Sequence, residues 1–297
     1  MITFGQAPWM EKPTRAGIIG KGIVLFIICA IVVYPFLSVL ATSLATESDV
    51  EANGGLVIWP QHPTLSAYQT IFEGGVVTHA ILVSVGVTVI GTVASLILTI
   101  MLAYGLSRPI IAGRPLLLMC LFTLLFFPGI IPAYLMVKQL GLLDNYASLV
   151  IPVVIFGFNM VVVRQFFMAL PQELLDSARI DGAGDIRILT RIVLPLSKAI
   201  IAVVALFYAV GYWNNFFSAL LYLSDSSQWP LTLVLRLYVI QGAHLPGAMS
   251  FAAGDQPPPE QAIQMAVVII ATVPILLVYP FLQKYFTVGV LTGAIKG

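Results

Sequence analysis

Residues Pro171–Leu196 read PQELLDSARIDGAGDIRILTRIVLPL and carry Glu173, Asp176, Asp181, Asp185, Arg179, Arg187 and Arg191. Only 9% of the 297 residues are charged. Charged side chains are excluded from hydrocarbon by the cost of desolvating them, so this stretch must lie outside the bilayer, between two apolar spans. It is the best candidate in the chain for contact with a soluble partner.

Outward from that stretch the chain is apolar. Hydrophobic residues make up 59% and mean hydropathy is +1.00, far above the roughly 45–50% apolar content of a soluble domain. A polytopic membrane protein is the class this implies. The net charge of +1 gives no argument for nucleic acid. Crossing about 30 Å of hydrocarbon takes about 20 apolar residues as helix, since only intrahelical bonds satisfy the backbone there.

Six spans are expected: 18–44, 78–106, 115–137, 146–168, 199–223 and 265–286. They form an all-α transmembrane domain over 18–287, with a lead-in at 1–17, a polar loop at 169–198, a long loop at 224–264 and a tail at 288–297. The first span is too long for a signal-peptide core and lacks a convincing cleavage site. Of the 14 Lys and Arg, only Lys138 and Arg236 fall outside if the N-terminus is cytoplasmic, so the positive-inside bias puts both termini and the polar loop in the cytoplasm.

Cys29 and Cys120 fall inside expected spans, where a thiol acts as a small hydrophobe. His62, His79 and His244 have no ligand spacing, and no metal site is expected. The segment 45–77 holds Glu47, Asp49 and Glu51 and a short helix cap at Thr64 or Ser66; it reads equally as a packed lid or a docking surface. Span two carries Gly86, Gly91, Thr88, Thr92, Ser95 and Thr99, a small-residue pattern that lets helices approach in lipid. Pro128 and Pro132 break the bonding of span three. In the long loop, Pro230 can start a short helix from Leu231, and Pro257-Pro258-Pro259 makes the return stiff.

Polar groups at membrane depth are few. Asn159 sits in span four, and Tyr212-Trp213-Asn214-Asn215 in span five is flanked by Tyr208, Phe216 and Phe217. Adjacent amides on one helix point about 100° apart, so at least one faces the bundle interior. Aromatic faces beside amides suit sugar rings, with their apolar C–H faces and hydroxyl edges. The same residues read alternatively as a helix-packing patch. Asn159, Tyr212, Trp213, Asn214 and Asn215 are therefore candidates for a translocation path.

Within the polar stretch, Pro171 suits a helix start, and Glu173 and Asp176 place negative charge in its first turns, where the dipole favours it. Leu174 and Ala178 share a face at i, i+4. The helix can stop at Asp181-Gly182, glycine accepting a left-handed cap. A second run from Asp185 to Leu194 precedes Pro195, giving two short helices joined at an elbow.

The spacing here is specific: Asp176-Ser177-Ala178, three residues, Gly182, nine residues, Ile192, then Val193-Leu194-Pro195. It resembles the EAA loop of permease subunits in binding-protein-dependent ABC importers, which runs EAA, three residues, Gly, nine residues, Ile-x-Leu-Pro. Asp181-Gly182-Ala183 and Leu194-Pro195-Leu196 match as well. The departure is Asp176-Ser177 in place of Glu-Ala, which keeps an acid and a small residue. The ending Gly289–Gly297 looks like the tail of MalG-like carbohydrate permeases, and the proportions look most like the LplC/YtcP group.

This resemblance implies a type I importer permease of MetI-like fold in a bacterial cytoplasmic membrane, working with a second permease, two ATP-binding subunits and an extracellular or periplasmic solute-binding protein. The saccharide would cross between the two permeases. It further implies that Glu173, Asp176, Ser177, Ala178, Asp181, Gly182, Ala183, Leu194 and Pro195 couple to an ATPase, with Gly293, Lys296 and Gly297 of the tail facing the same subunit. ATP and Mg belong to the partner subunits. This chain is expected to bind no cofactor and to perform no catalysis, because no lysine is followed by Ser or Thr and the G-x-x-x-x-G-K-[ST] phosphate cradle is absent. A stand-alone secondary transporter or a non-transporting assembly protein is the alternative. The former usually needs a titratable group at mid-membrane, and no expected span carries Asp or Glu in its middle.

Overall fold

Fifteen α-helices make up the bulk of the residues described by the computed structural model, which are 15–73, 75–241 and 259–294. No strand occurs among them. In order they are α1 (Arg15–Ser43), α2 (Glu47–Ala52), α3 (Ser66–Glu73), α4 (Val76–Leu106), α5 (Gly113–Leu125), α6 (Ile130–Gln139), α7 (Ala147–Val150), α8 (Gly157–Met168), α9 (Gln172–Ile180), α10 (Asp185–Ile188), α11 (Leu194–Leu196), α12 (Lys198–Trp213), α13 (Phe216–Tyr222), α14 (Leu231–Gln241) and α15 (Glu260–Ala294). The helices from Ala16 to Ser43, Val76 to Leu106 and Glu260 to Val278 are each long and apolar enough to cross a bilayer. Two bent pairs qualify as well: Ala147–Val153 with Gly157–Met168, at 51°, and Asp185–Leu196 with Lys198–Trp213, at 85°.

The chain divides into two compact units, one of 1–68 with 256–269 and one of 69–255 with 270–297. In the first, the C-terminal end of α1 is tied to the segment after α2. Thr42, fully buried, accepts from the Val57 amide at 2.9 Å through Oγ1, and Tyr68 shares a 2.8 Å bond with Ser43. The Asp49 carboxylate takes the His62 amide at 3.1 Å, and that bond holds its pKa below the ordinary carboxylate value. Most of α1 is apolar on every side and exposed, the composition of a helix meant for lipid or for another membrane chain.

In the second unit α4 is the central strut, packed along α12 and α8 and touched by α14 near its other end. Gly91, Ser95 and Thr99 form one stripe of α4 at i, i+4, i+8 and meet Tyr212 and Tyr208 of α12. Ser95 bonds the Tyr212 hydroxyl and Thr99 the Tyr208 hydroxyl, each at 2.7 Å. Gly91 is needed for this contact: a Cβ there would lie 2.8 Å from Tyr212 Cε2. Small residues at a helix crossing thus bring two tyrosine rings against a backbone. At the start of α14, the Leu231 amide donates to Ser84 of α4 at 2.8 Å, satisfying one of the orphan donors of a helix N-terminus.

Three stretches read as single spans are divided, and 146–168 is one of them, bent by 51° between Val153 and Gly157. Over 115–137 the chain leaves helix between Leu125 and Ile130, at Phe126-Phe127-Pro128-Gly129, where Gly129 has φ +87°. Proline disfavours the α region for the residue before it, and with the glycine it opens a full break. Over 199–223 the break falls at Asn214-Asn215. The argument from two amides on one continuous helix fails there, because the asparagines end one helix and begin the next.

Candidate functional site

Two regions carry chemistry. The first is the polar loop. Helix α9 follows Pro171, whose ψ of 123° is extended, and buries Leu175 and Ala178 in the same core cluster as Tyr104, Phe167 and Val193. Leu174 is 46% exposed; its expected pairing with Ala178 is replaced by Leu175 and Ala178 at i, i+3. Past Ile180 the chain forms a Schellman cap. The Gly182 amide bonds Arg179 O at 3.0 Å, the Ala183 amide bonds Ala178 O at 2.9 Å, and Gly182 takes φ +77°. Both bonds belong to the left-handed helix stop, so the Asp181-Gly182 elbow is a defined turn.

The second run is less regular than expected. It starts as α10 at Asp185, passes through a π-helical segment Leu189–Val193, and ends in α11 at Leu194-Pro195-Leu196 before the turn at Ser197 into α12. Outward it presents Ile180 (87% exposed) and Ile186 (80%). Gly182, Gly184, Arg187, Thr190 and Arg191 line an open groove of about 610 Å³ beside Ile186. Glu173, Asp176, Ser177, Asp181 and Pro195 are exposed, Ala183 and Leu194 half-buried. Asp176 pairs with Arg179 at 3.0 Å, an exposed i, i+3 pair that contributes little to stability. A surface of exposed isoleucines and basic side chains on a defined elbow can dock a partner.

Residues not singled out from sequence fasten this loop to α4. Tyr104 is buried, with its ring edge-on to Phe167 at 6.3 Å between centroids. Its hydroxyl accepts from Arg108 Nη2 at 2.8 Å and donates toward Asp185, whose backbone oxygen lies at 3.3 Å and whose carboxylate Oδ1 lies at 3.4 Å. Arg164 Nε donates to the Leu106 carbonyl at 2.9 Å, a cationic cap where the α4 dipole is negative. The one sequence clue was a tyrosine and an arginine at i, i+4 at the end of a long apolar helix.

The second region is a cavity of about 540 Å³ within the apolar part of the bundle. Asn159, Tyr212 and Asn215 line it, together with Phe156, Phe158, Tyr208 and Ser218. Asn159 is 2% exposed, and its Oδ1 is buried with no hydrogen-bond partner among the described residues. Trp213 and Asn214 are not on that lining. Trp213 is buried and donates from Nε1 to Ala271 O at 3.0 Å, and Asn214 turns its amide back onto Val210 O at 2.9 Å. Asn215 accepts from the Ser218 amide at 3.2 Å and caps α13; side-chain competition for the backbone is why asparagine ends helices. Aromatic rings, two amides and hydroxyls, with no acid or base among the lining residues, can hold an uncharged polyhydroxyl surface. Of the tail residues, Gly293 lies within α15, and Lys296 and Gly297 lie outside the described residues.

Residues 95–292 match the family described as binding-protein-dependent transport system inner membrane component. The chain is 47% identical over 274 residues to the polygalacturonan/rhamnogalacturonan transport system permease protein YtcP of Bacillus subtilis (strain 168), an alignment that covers 92% of this chain and 96% of that protein. It is also 47% identical over 269 residues to protein LplC of the same organism, covering 90% of each. Among solved structures, a chain of a bacterial ABC transporter involved in the import of the acidic polysaccharide alginate superposes with a TM-score of 0.86 at 28% identity, covering 94% of this chain and 100% of that one.

Proposed function

The chain belongs to the family of binding-protein-dependent transport system inner membrane components, and from that premise we propose that it forms half of the path by which an ABC importer takes up an oligosaccharide or related saccharide. It has the MetI-like type I permease fold. YtcP is named as a polygalacturonan/rhamnogalacturonan transport system permease and the structural neighbour belongs to a transporter involved in the import of the acidic polysaccharide alginate, which supports the substrate class. Six spans are assigned: α1; α4; α5 with α6; α7 with α8; α12 with α13; and α15. The distribution of Lys and Arg supports cytoplasmic termini, in a bacterial cytoplasmic membrane.

The observation that carries the reading is the elbow at Gly182, a Schellman turn at the glycine of the EAA spacing with Ile180 and Ile186 exposed on either side. In this reading α9 and the groove beside Ile186 sit in a cleft of an ATP-binding subunit. The loop is continuous with α12 through Ser197 and bonded to α4 through Tyr104 and Asp185. When two such ATPases close, the loop tilts α4 and α12 together as one body. A second permease completes the path, a solute-binding protein delivers cargo against the 224–264 segment on the opposite side, and the cavity by Asn159 and Asn215 contacts sugar hydroxyls.

Reconstitution with the genomically adjacent ATPase and permease and the cognate binding protein tests this. Uptake is expected to require ATP hydrolysis; uptake that persists with a hydrolysis-dead ATPase would falsify the reading. Tyr104→Phe keeps the ring against Phe167 and removes the hydroxyl, with its link to Asp185 and the bond it accepts from Arg108. Loss of the Asp185 link, about 1 kcal/mol, is expected to lower saccharide taken up per ATP about fivefold in proteoliposomes, with insertion and complex yield unchanged.

A further inference from the structure

Between the end of α4, the loop after it and α9 lies a cavity of about 270 Å³ that the transport reading leaves unused. Ser107, Arg108, Gln172 and Arg179 line it, with Tyr104 and Leu175 forming part of the wall. Arg108 is half-buried; its guanidinium donates to the Tyr104 hydroxyl and stands 4.8 Å from the centre of that ring. No described carboxylate lies within ion-pair distance of it. The acids nearby are Asp176, engaged on Arg179 at 3.0 Å, and Asp185, near the Tyr104 hydroxyl at 3.4 Å. Neither lines the cavity.

Two arginines and a glutamine therefore share one lining, while the Ser107 hydroxyl there is engaged on the Tyr104 carbonyl at 2.7 Å. An acceptor-only oxyanion fits this donor set, and arginine forks match phosphate oxygens two at a time. A half-buried guanidinium that faces a neutral phenol and its ring gains most from such a counter-ion, since screening by water is weaker there than at an open surface. We propose that this cavity binds a phosphate group, bridging Arg108 beside α4 to Arg179 on α9. Its place at the cytoplasmic membrane surface rests on the orientation given above, and from there the phosphate comes either from an anionic lipid headgroup or from a soluble phosphate. Bound, it holds α9 to the end of α4, adding a second fastening to the Tyr104 link.

The assembled importer is reconstituted in nanodiscs of phosphatidylcholine with phosphatidylglycerol, transferred to detergent, and its retained lipid identified by native mass spectrometry. Binding of radiolabelled inorganic phosphate is measured on the lipid-stripped complex. Retention of phosphatidylglycerol over phosphatidylcholine assigns a lipid source, and binding of inorganic phosphate alone assigns a soluble one. In either case Arg108→Gln and Arg179→Gln are each expected to weaken binding about tenfold, as loss of one charge-assisted contact does. Arg114→Gln, an exposed basic residue outside the cavity, is expected to bind as the parent does. Should Arg108→Gln fail to assemble, Arg179→Gln on the exposed face of α9 carries the test. The proposal is overturned if neither probe binds, if both cavity variants bind as the parent does, or if Arg114→Gln weakens binding as much as they do. These readouts do not involve uptake, so failure here leaves the importer reading standing, and loss of ATP-dependent uptake with binding intact counts against that reading alone.

Discussion

Replacing Gly182 with valine is expected to cut ATP-driven uptake about tenfold while leaving membrane insertion and complex yield unchanged. Glycine at this position takes φ +77°, and a Cβ built on it meets nothing within 4 Å. The penalty is thus backbone strain with no steric contact to relieve it, about 1–2 kcal/mol for a side chain in the left-handed region and at the high end for a β-branched one. That is enough to shift a local equilibrium by a factor of about 5–30, against a turn held by the two hydrogen bonds that the Gly182 and Ala183 amides donate. Asparagine tolerates this conformation better than other side chains, so the expected order of uptake is glycine, asparagine, alanine, valine. Hydrolysis and uptake measured together in proteoliposomes check it; equal uptake in the parent and all three variants removes the elbow from the coupling mechanism.

Gly91→Leu should fail earlier, at assembly of the bundle. Its Cβ would sit 2.8, 2.9 and 3.0 Å from three atoms of the Tyr212 ring. That ring cannot swing away without breaking the 2.7 Å bond between its hydroxyl and Ser95. Overpacking of this kind costs about 1–3 kcal/mol, with the lost hydrogen bond of about 1 kcal/mol in addition. The expected result is a lower melting temperature in detergent and a poor yield of folded chain. In a Tyr212→Ala background the same leucine should cost far less, since it then enters the space vacated by the ring; a double-mutant cycle reads the difference. An equal cost in both backgrounds would place the clash elsewhere.

The parts of this fold that were legible in the sequence are those written in neighbouring residues. Long apolar runs announce α1, α4 and α15 because the bilayer imposes their length, and the stop at Asp181-Gly182 is visible because only a few residues accept its φ. The EAA spacing is legible for the same reason: it is a local turn between two helices. The breaks were harder. Asn214 and Asn215 suggested polar faces of a helix, whereas each side chain instead takes a backbone partner, Val210 O and the Ser218 amide. Trp213 looked like a path residue from its neighbours, yet its indole is spent on Ala271, 58 residues away. The Tyr104 link to Asp185 spans 81 residues. No period or motif encodes such a pairing, which exists only once the helices have packed.

The division of the fourth span has a consequence for how the chain is made. Between its two pieces the Phe156 amide has left helix, and it donates at 3.0 Å to the hydroxyl of Tyr208, 52 residues further on. An amide without a partner in hydrocarbon costs several kcal/mol. The ribosome delivers Phe156 well before Tyr208, so in the interval this amide must keep water or the insertion machinery as its companion. The bend between α7 and α8 therefore has this amide satisfied by protein only once α12 has packed beside it.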